Sequence, residues 1–412
     1  MRNLLLPFFL FIGIVIQASD GLVKPAQLID YTLVKHLTLK DLKAYYKKNK
    51  IPKTVFPVNN GVNIYEIVYS TTNYDSSIVK VSGLVYVPIT KNKVLSKMIY
   101  NHGTETCTGH GPMKGERAIC IVFAADEYIV LAPDYIGLGK SELDQLYLHA
   151  YTESHTAVDM LIASELLFTK LNIETEKDVF VAGYSQGAHA TMATHRLLQN
   201  EYKDVYPVKA SAPMSGPYDV EGSLSKGINR PYVHPSLLVL LLKTYFVVNN
   251  QPDNFQKTLV KPYDTLLPPL FHSNYSFFEI DKLLPNVAGD MVNKSFAKDV
   301  ETNPESQLRK YAQKNNVYDW KPETPMQLCY CDADKDVSHL NTLKAYETMK
   351  KNGSDKVVLK NAGKKFEHIN CALFSTVYTK TFFDGYRKGK PAYRLSLPKR
   401  TFVNTMKLIL KP

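Results

Sequence analysis

A serine hydroxyl is a poor nucleophile until a base takes its proton, so a reactive serine must stand where a base and oxyanion donors reach it. One serine in this chain has such a setting. The run Val179-Phe180-Val181-Ala182-Gly183-Tyr184-Ser185-Gln186-Gly187 leads a buried-strand pattern straight into Gly-x-Ser-x-Gly, and Ala188-His189-Ala190 opens a helix on small residues. Glycines two before and two after leave room for a turn tight enough to expose the hydroxyl above a sheet. The backbone N–H of Gln186 then faces the same space and is the first candidate oxyanion donor. Upstream, Ile99-Tyr100-Asn101-His102-Gly103-Thr104 follows another strand pattern. A His-Gly segment at that place supplies a second donor from the residue after the glycine, which nominates Thr104. The competing reading is a plain strand-to-loop turn, and His102 reads as structural.

The serine needs a histidine, and the histidine needs an acid that holds its tautomer. For a serine on this kind of turn the chain order is Ser, Asp or Glu, His. Downstream of Ser185, the strand pattern at 326–330 ends in Cys331-Asp332-Ala333-Asp334-Lys335-Asp336-Val337. Asp334 is the favoured acid, because Val337 three residues on would tuck into the core below. Asp336 is the alternative, and Asp332 reads as a turn residue. Of the eleven histidines, His189 and His195 lie on the helix after the serine and read as packing or surface residues. His149 and His155 precede the acid, His234 and His272 fall in a presumed insertion, and His339 follows Asp334 too closely for a separate loop. His368 remains, in Phe366-Glu367-His368-Ile369-Asn370-Cys371, between the last strand pattern and a helix at 372–386.

These residues require a frame. A short helix over 38–48 carries Thr38 and Asp41 at capping-box spacing, and strands over 62–71 and 79–88 follow it. Short apolar strands at 97–100, 128–132, 178–182, 208–214, 325–330 and 356–359 then alternate with helix-length stretches such as 157–168 and 188–199. Alternation of this kind predicts a mostly parallel sheet with helices on both faces. Residues 220–320 break the rhythm. They are rich in Pro, Asn and Tyr, with an apolar helix candidate at 235–248, and they read as an inserted helical cap. The run Leu237 to Leu242 is too apolar all round for a solvated helix: it is either an ordinary core helix or an acyl-chain wall above Ser185. The loop Asp134-Tyr135-Ile136-Gly137-Leu138-Gly139 reads as structural, with Asp134 holding backbone N–H groups.

The net charge of +11 is spread along the chain, and no nucleic-acid module accompanies it, so nucleic acid is not an expected partner. The local lysine cluster from Lys40 to Lys53 reads as a solvated helix face, with weak attraction to anionic surfaces as the other reading. At the start, Arg2, an apolar run over 4–16, and Ala18-Ser19 before Asp20 have the layout of a secretory signal peptide cleaved near Ala18 or Ser19. Export to the periplasm or the extracellular space makes disulfides reasonable. Cys107 and Cys120 flank a glycine-rich loop and are the expected pair, while Cys371 has Cys329 or Cys331 within reach. Cys329-Tyr330-Cys331 lacks a second ligand pair at zinc spacing, so no metal is expected. Asn274, Asn293 and Asn352 each begin an Asn-x-Ser sequon, a glycan site if the host is eukaryotic.

Taken together, the Asn-His-Gly-Thr loop, Pro-Asp-Tyr-x-Gly-x-Gly at 133–139, Gly-Tyr-Ser-Gln-Gly, Ser-Gly-Pro-Tyr-Asp at 215–219 and His-x-x-Cys at 368–371 resemble the secretory lipase group and related bacterial esterases of the α/β-hydrolase superfamily. The resemblance spans about residues 80–385. It implies an α/β-hydrolase core over 20–219 and 321–412, a cap or lid over 220–320, Ser185 as nucleophile, Asp334 as acid and His368 as base. A small-molecule or lipid ester substrate, transient contact with a lipid surface and no cofactor follow from it. A serine peptidase on the same fold is the alternative, weakened because the N-terminal part carries no blade repeat. A secreted non-catalytic binding protein is the alternative of another class.

Overall fold

A computed structural model describes residues 26–92, 94–106, 114–271 and 275–410. The expected signal peptide, Cys107, His272 and Asn274 lie outside these residues.

Nine strands form one sheet among the described residues: β1 (Leu28–Leu37), β2 (Gly61–Thr72), β3 (Ile78–Ile89), β4 (Val94–Asn101), β5 (Tyr128–Pro133), β6 (Glu174–Tyr184), β7 (Val208–Met214), β8 (Met326–Cys331) and β9 (Val357–Gly363). Their spatial order is β1-β2-β3-β5-β4-β6-β7-β8-β9. Pairing is antiparallel from β1 through β3 to β5, and parallel from β5 onward to β9. The central strands are apolar on both faces because successive side chains point to opposite sides. Met98, Tyr100, Phe180 and Ala182 enter one core cluster, whereas Ile99, Val179 and Val181 enter another.

Helices cover both faces, as the alternation predicts. In chain order the core helices before the insertion are α1 (Leu39–Lys48), α2 (Lys114–Ala124), α3 (Ala150–Lys170) and α4 (Gln186–Glu201). Between β7 and β8 come α5 (Val220–Gly227), α6 (Pro235–Val248), α7 (Pro252–Thr258), α8 (Tyr263–Leu270), α9 (Phe277–Asp281), α10 (Lys294–Thr302) and α11 (Gln307–Lys314). After β8 follow α12 (Leu340–Lys351), α13 (His368–Arg387) and α14 (Leu397–Ile409). Helix α1 starts on the expected capping box: Thr38 Oγ1 accepts from Asp41 N at 3.2 Å, and Asp41 Oδ2 accepts from Thr38 N at 2.9 Å.

Several elements lie beyond the sequence reading, β1 and α14 among them. Strand β1 is an edge strand whose residues are almost all exposed, so no alternation of apolar and polar residues marks it. Helix α14 follows α13, beyond the last helix read from the sequence.

The insertion has an apolar core of its own, built from α5 through α11 and completed by Tyr147 and Leu148 of the main body. Helix α6 explains why Leu237 to Leu242 is apolar all round. Val239, Leu240 and Leu242 are buried in that core, and Leu237, Leu238 and Leu241 face a cavity beneath it. The run therefore packs into that core on one side and lines the cavity on the other. Among the described residues, no helix is long and apolar enough to cross a membrane.

Candidate active site

Strand β6 ends at Tyr184 and α4 begins at Gln186, so Ser185 alone makes the turn. Its φ of 58° and ψ of −122° lie where non-glycine residues rarely sit. Such strain persists only when the surroundings over-determine it. Here Ser185 N donates to Met214 O at 3.0 Å and Ser185 O accepts from Ala188 N at 2.9 Å. The flanking glycines are obligatory. A Cβ on Gly183 would lie 2.2 Å from Gly187 O, and one on Gly187 would lie 2.0 Å from Asn101 O. The end of β4 thus rests directly on the serine turn.

That contact brings the Gly103-Thr104 segment close to the serine turn. A Cβ on Gly103 would stand 3.4 Å from Tyr184 O, so the Gly103-Thr104 segment crosses over the turn. Thr104 is buried and lines the same cavity as Ser185. His102 is structural, as expected: its Nδ1 lies 2.6 Å from Gly103 O, its ring packs 4.4 Å from that of Tyr135, and burial lowers its pKa to about 4.

The expected acid and base come from two different places, a loop after β8 and the start of α13. Strand β8 delivers Asp334 three residues past its end, and His368 is the first residue of α13 rather than part of the loop before it. Asp334 Oδ2 lies 2.7 Å from His368 Nδ1. The other carboxylate oxygen accepts from the backbone N–H of Asp336 at 3.1 Å and of Val337 at 2.9 Å, which fixes its orientation. Both side chains are buried, and His368 Nε2 has no hydrogen-bond partner. Tyr184 holds the histidine from beneath, its hydroxyl donating to His368 O and its ring 4.8 Å from the imidazole.

Asp336, the alternative acid, points elsewhere. Its Oδ2 is 3.2 Å from Nε2 of His234, which also meets Asp281 Oδ2 at 2.7 Å through Nδ1. His234 stands just before α6, so this bridge joins the acid loop to the insertion. Asp332 accepts from Asn361 at 2.8 Å and serves the turn. His189 and His195 are buried and hydrogen-bonded through both ring nitrogens. Asp134 accepts from Ser82 Oγ at 2.6 Å, and Gly139, at a φ of +60°, leaves no room there for a side chain.

The disulfide expectation needs correction. Of the expected pair, Cys107 lies outside the described residues and Cys120 is a free thiol. Its side chain sits on the face of α2 that packs into the core, and that burial pushes its pKa well up. The bridge present is Cys331–Cys371, with Cα atoms 6.0 Å apart. Cys331 is three residues before Asp334 and Cys371 three after His368, so one covalent link spans the bases of both loops.

Ser185, Thr104 and His368 open onto a cavity of about 1000 Å³. Its upper wall is Leu237, Leu238 and Leu241 of α6 with Phe277 and Phe278 of α9, and its lower wall includes Ile119 and Val122 of α2. Glu116 also faces it. That carboxylate accepts from Gly103 N through both oxygens at 2.9 Å, and burial lifts its pKa to about 7. Sequence reading passed over Glu116, because an acidic residue in the first turn of a helix is ordinary. No cluster of side chains able to hold a metal occurs among the described residues.

No protein-family model and no curated protein matches the chain. Solved structures do. A putative hydrolase from Legionella pneumophila is 25% identical over 89% of this chain and 100% of its own, with a TM-score of 0.81. A rice cell wall degrading esterase, LipA, from Xanthomonas oryzae is 23% identical over 88% of this chain and 99% of its own, at 0.78. The chain has the α/β-hydrolase fold. Candida antarctica lipase A in its closed state shares that α/β-hydrolase fold at 15% identity, covering 92% of this chain and 90% of its own, with a TM-score of 0.70. Within this fold Ser185 makes the turn between β6 and α4, Asp334 follows β8 and His368 follows β9.

Proposed function

We propose that the chain is a secreted carboxylic-ester hydrolase, of lipase or esterase type, that works through an acyl-enzyme on Ser185. The observation that carries this reading is the proton relay in waiting. Nδ1 of His368 is engaged by the buried Asp334 at 2.7 Å, and Nε2 is left unpartnered beside a cavity that Ser185 lines from a strained turn.

In the proposed mechanism His368 Nε2 takes the Ser185 proton as the hydroxyl attacks the ester carbonyl. Asp334 holds the tautomer that leaves Nε2 free to accept, and it stabilises the imidazolium that forms. The N–H groups of Gln186 and Thr104 receive the oxyanion. His368 then returns the proton to the leaving alcohol, and water releases the acid by the same steps. An amphipathic ester suits the site. Residues 220–320 act as the cap, and an alkyl chain lying against Leu237, Leu238 and Leu241 gains about 0.8 kcal/mol per buried CH₂. The esterase and lipase among the similar structures support ester chemistry, and the Cys331–Cys371 bridge supports an oxidising destination outside the cytoplasm.

A fluorophosphonate probe tests the core of this reading. It is expected to label Ser185, and Ser185→Ala is expected to abolish labelling and to cost on the order of a million-fold in kcat. Full labelling of the alanine variant would remove the assignment and favour a protein that binds rather than cleaves.

A further inference from the structure

Two buried glutamates stand behind the two oxyanion donors, one behind each. Glu153, on α3, is 1% exposed. Its Oε1 accepts from the side-chain Nε2 of Gln186 at 2.7 Å, and its Oε2 lies 2.6 Å from His189 Nδ1. His189 Nε2 in turn lies 2.8 Å from the carbonyl oxygen of Asn315, just past α11. Glu116, on α2, clasps Gly103 N with both oxygens and accepts from Tyr100 Oη at 3.1 Å.

A proton count shows how firmly the first cluster is set. The Asn315 carbonyl only accepts, so His189 carries its hydrogen on Nε2. The short Nδ1 to Glu153 contact then needs a second proton, on the imidazole or on the carboxyl. The members of the cluster cannot turn without breaking a hydrogen bond in a buried site. Buried polar clusters of this kind are costly unless every member is satisfied. An apolar pair would pack the same space with less penalty, so the cluster needs a reason beyond stability.

We propose that Glu153 and Glu116 are positioning residues for the oxyanion hole, Glu153 through the side chain of Gln186 and Glu116 through the N–H of Gly103, next to Thr104. This rests on the ester-hydrolase reading above. Each carboxylate grips the residue that carries a donor N–H, or its neighbour, and so fixes the direction of that N–H. Misplacing a reacting or stabilising group by an ångström costs about a hundredfold in rate, whereas ground-state binding in an apolar cavity is little changed.

The experiment uses the full-length enzyme and p-nitrophenyl butyrate, with a trifluoromethyl ketone that forms a tetrahedral adduct on the serine. Gln186→Met cuts the tether but leaves the Glu153–His189 pair whole. Glu116→Ala removes the clasp, and Glu116→Gln restores one acceptor oxygen. Gln186→Met and Glu116→Ala are expected to lower kcat by about 10- to 100-fold with KM within about twofold, and to weaken the ketone by a matching factor. Glu116→Gln is expected to recover most of the loss. If Glu116→Ala fails to fold, Gln186→Met decides alone. Folded variants with kcat within about twofold of wild type, or with ketone affinity unchanged while kcat falls, would overturn the proposal. A wild-type enzyme that neither turns over esters nor takes the fluorophosphonate would instead overturn the hydrolase reading itself.

Discussion

Replacing Asp334 by asparagine should disable His368 while leaving the fold in place, and the local hydrogen bonds say why. One carboxylate oxygen accepts from the N–H groups of Asp336 and Val337 at 3.1 and 2.9 Å, while the other faces His368 Nδ1 at 2.7 Å. An asparagine keeps its oxygen on the two backbone donors, because turning the amide over would set N–H against N–H. Its NH₂ then faces the histidine, and Nδ1 must accept. The proton moves to Nε2, the atom that has to receive the Ser185 proton. A histidine held in the wrong tautomer costs about 10⁴-fold in kcat, or about 5 kcal/mol of transition-state stabilisation. Asp336→Asn is the control. It weakens a 3.2 Å contact with His234 but leaves the Asp334–His368 pair untouched, so kcat should stay within about tenfold of wild type. Steady-state kinetics on p-nitrophenyl butyrate at pH 8, with thermal melts to confirm folding, reads both. Equal losses, or a greater loss at Asp336, would refute the assignment of the acid and the tautomer argument with it.

Three further outcomes follow from the same structure. Burial pulls His234 down, but its hydrogen bonds to Asp281 and Asp336 and their charges outweigh burial and lift it from 6.5 to about 9. A raised histidine gives stability that is complete below about pH 6.5 and lost as pH climbs through about 9, here on the order of 3 kcal/mol. His234→Gln should therefore lower the melting temperature at pH 6 and show a much smaller gap at pH 10; a gap independent of pH would contradict the bridge. Replacing Cys331 and Cys371 together by alanine opens a link across a sequence separation of 40, which should cost about 3–4 kcal/mol of stability in denaturant melts. It should also reduce kcat, because both loops lose their common anchor, and full activity in the double variant would disprove that role. For the cavity under α6, kcat/KM should rise with acyl length across p-nitrophenyl esters from acetate to palmitate. A maximum at acetate would leave a small-acyl esterase and no acyl wall.

The serine turn was legible from residue types alone because its requirement is local. Gly183 and Gly187 stand where any Cβ would strike backbone within 2.2 Å, and that constraint shows in the sequence as Gly-x-Ser-x-Gly. The parallel strands were equally plain, since burial on both faces demands unbroken apolar runs at 128–132 and 178–182. The alternation breaks off at 220–320, where seven α-helices lie between β7 and β8 among the described residues. Pairings between distant loops are another matter. Asp334 and Asp336 differ by two residues, and only the packing of α13 against β8 decides that the first meets His368 and the second meets His234. The same packing selects Cys331 over Cys329 as the partner of Cys371. Glu116 and Glu153 carried no sign at all, because each looks like an ordinary helical glutamate until the sheet sets Gly103 and Gln186 against it. Local sterics write themselves into neighbouring residues; contacts between segments tens of residues apart depend on the register and stacking of whole elements, which tertiary structure alone determines.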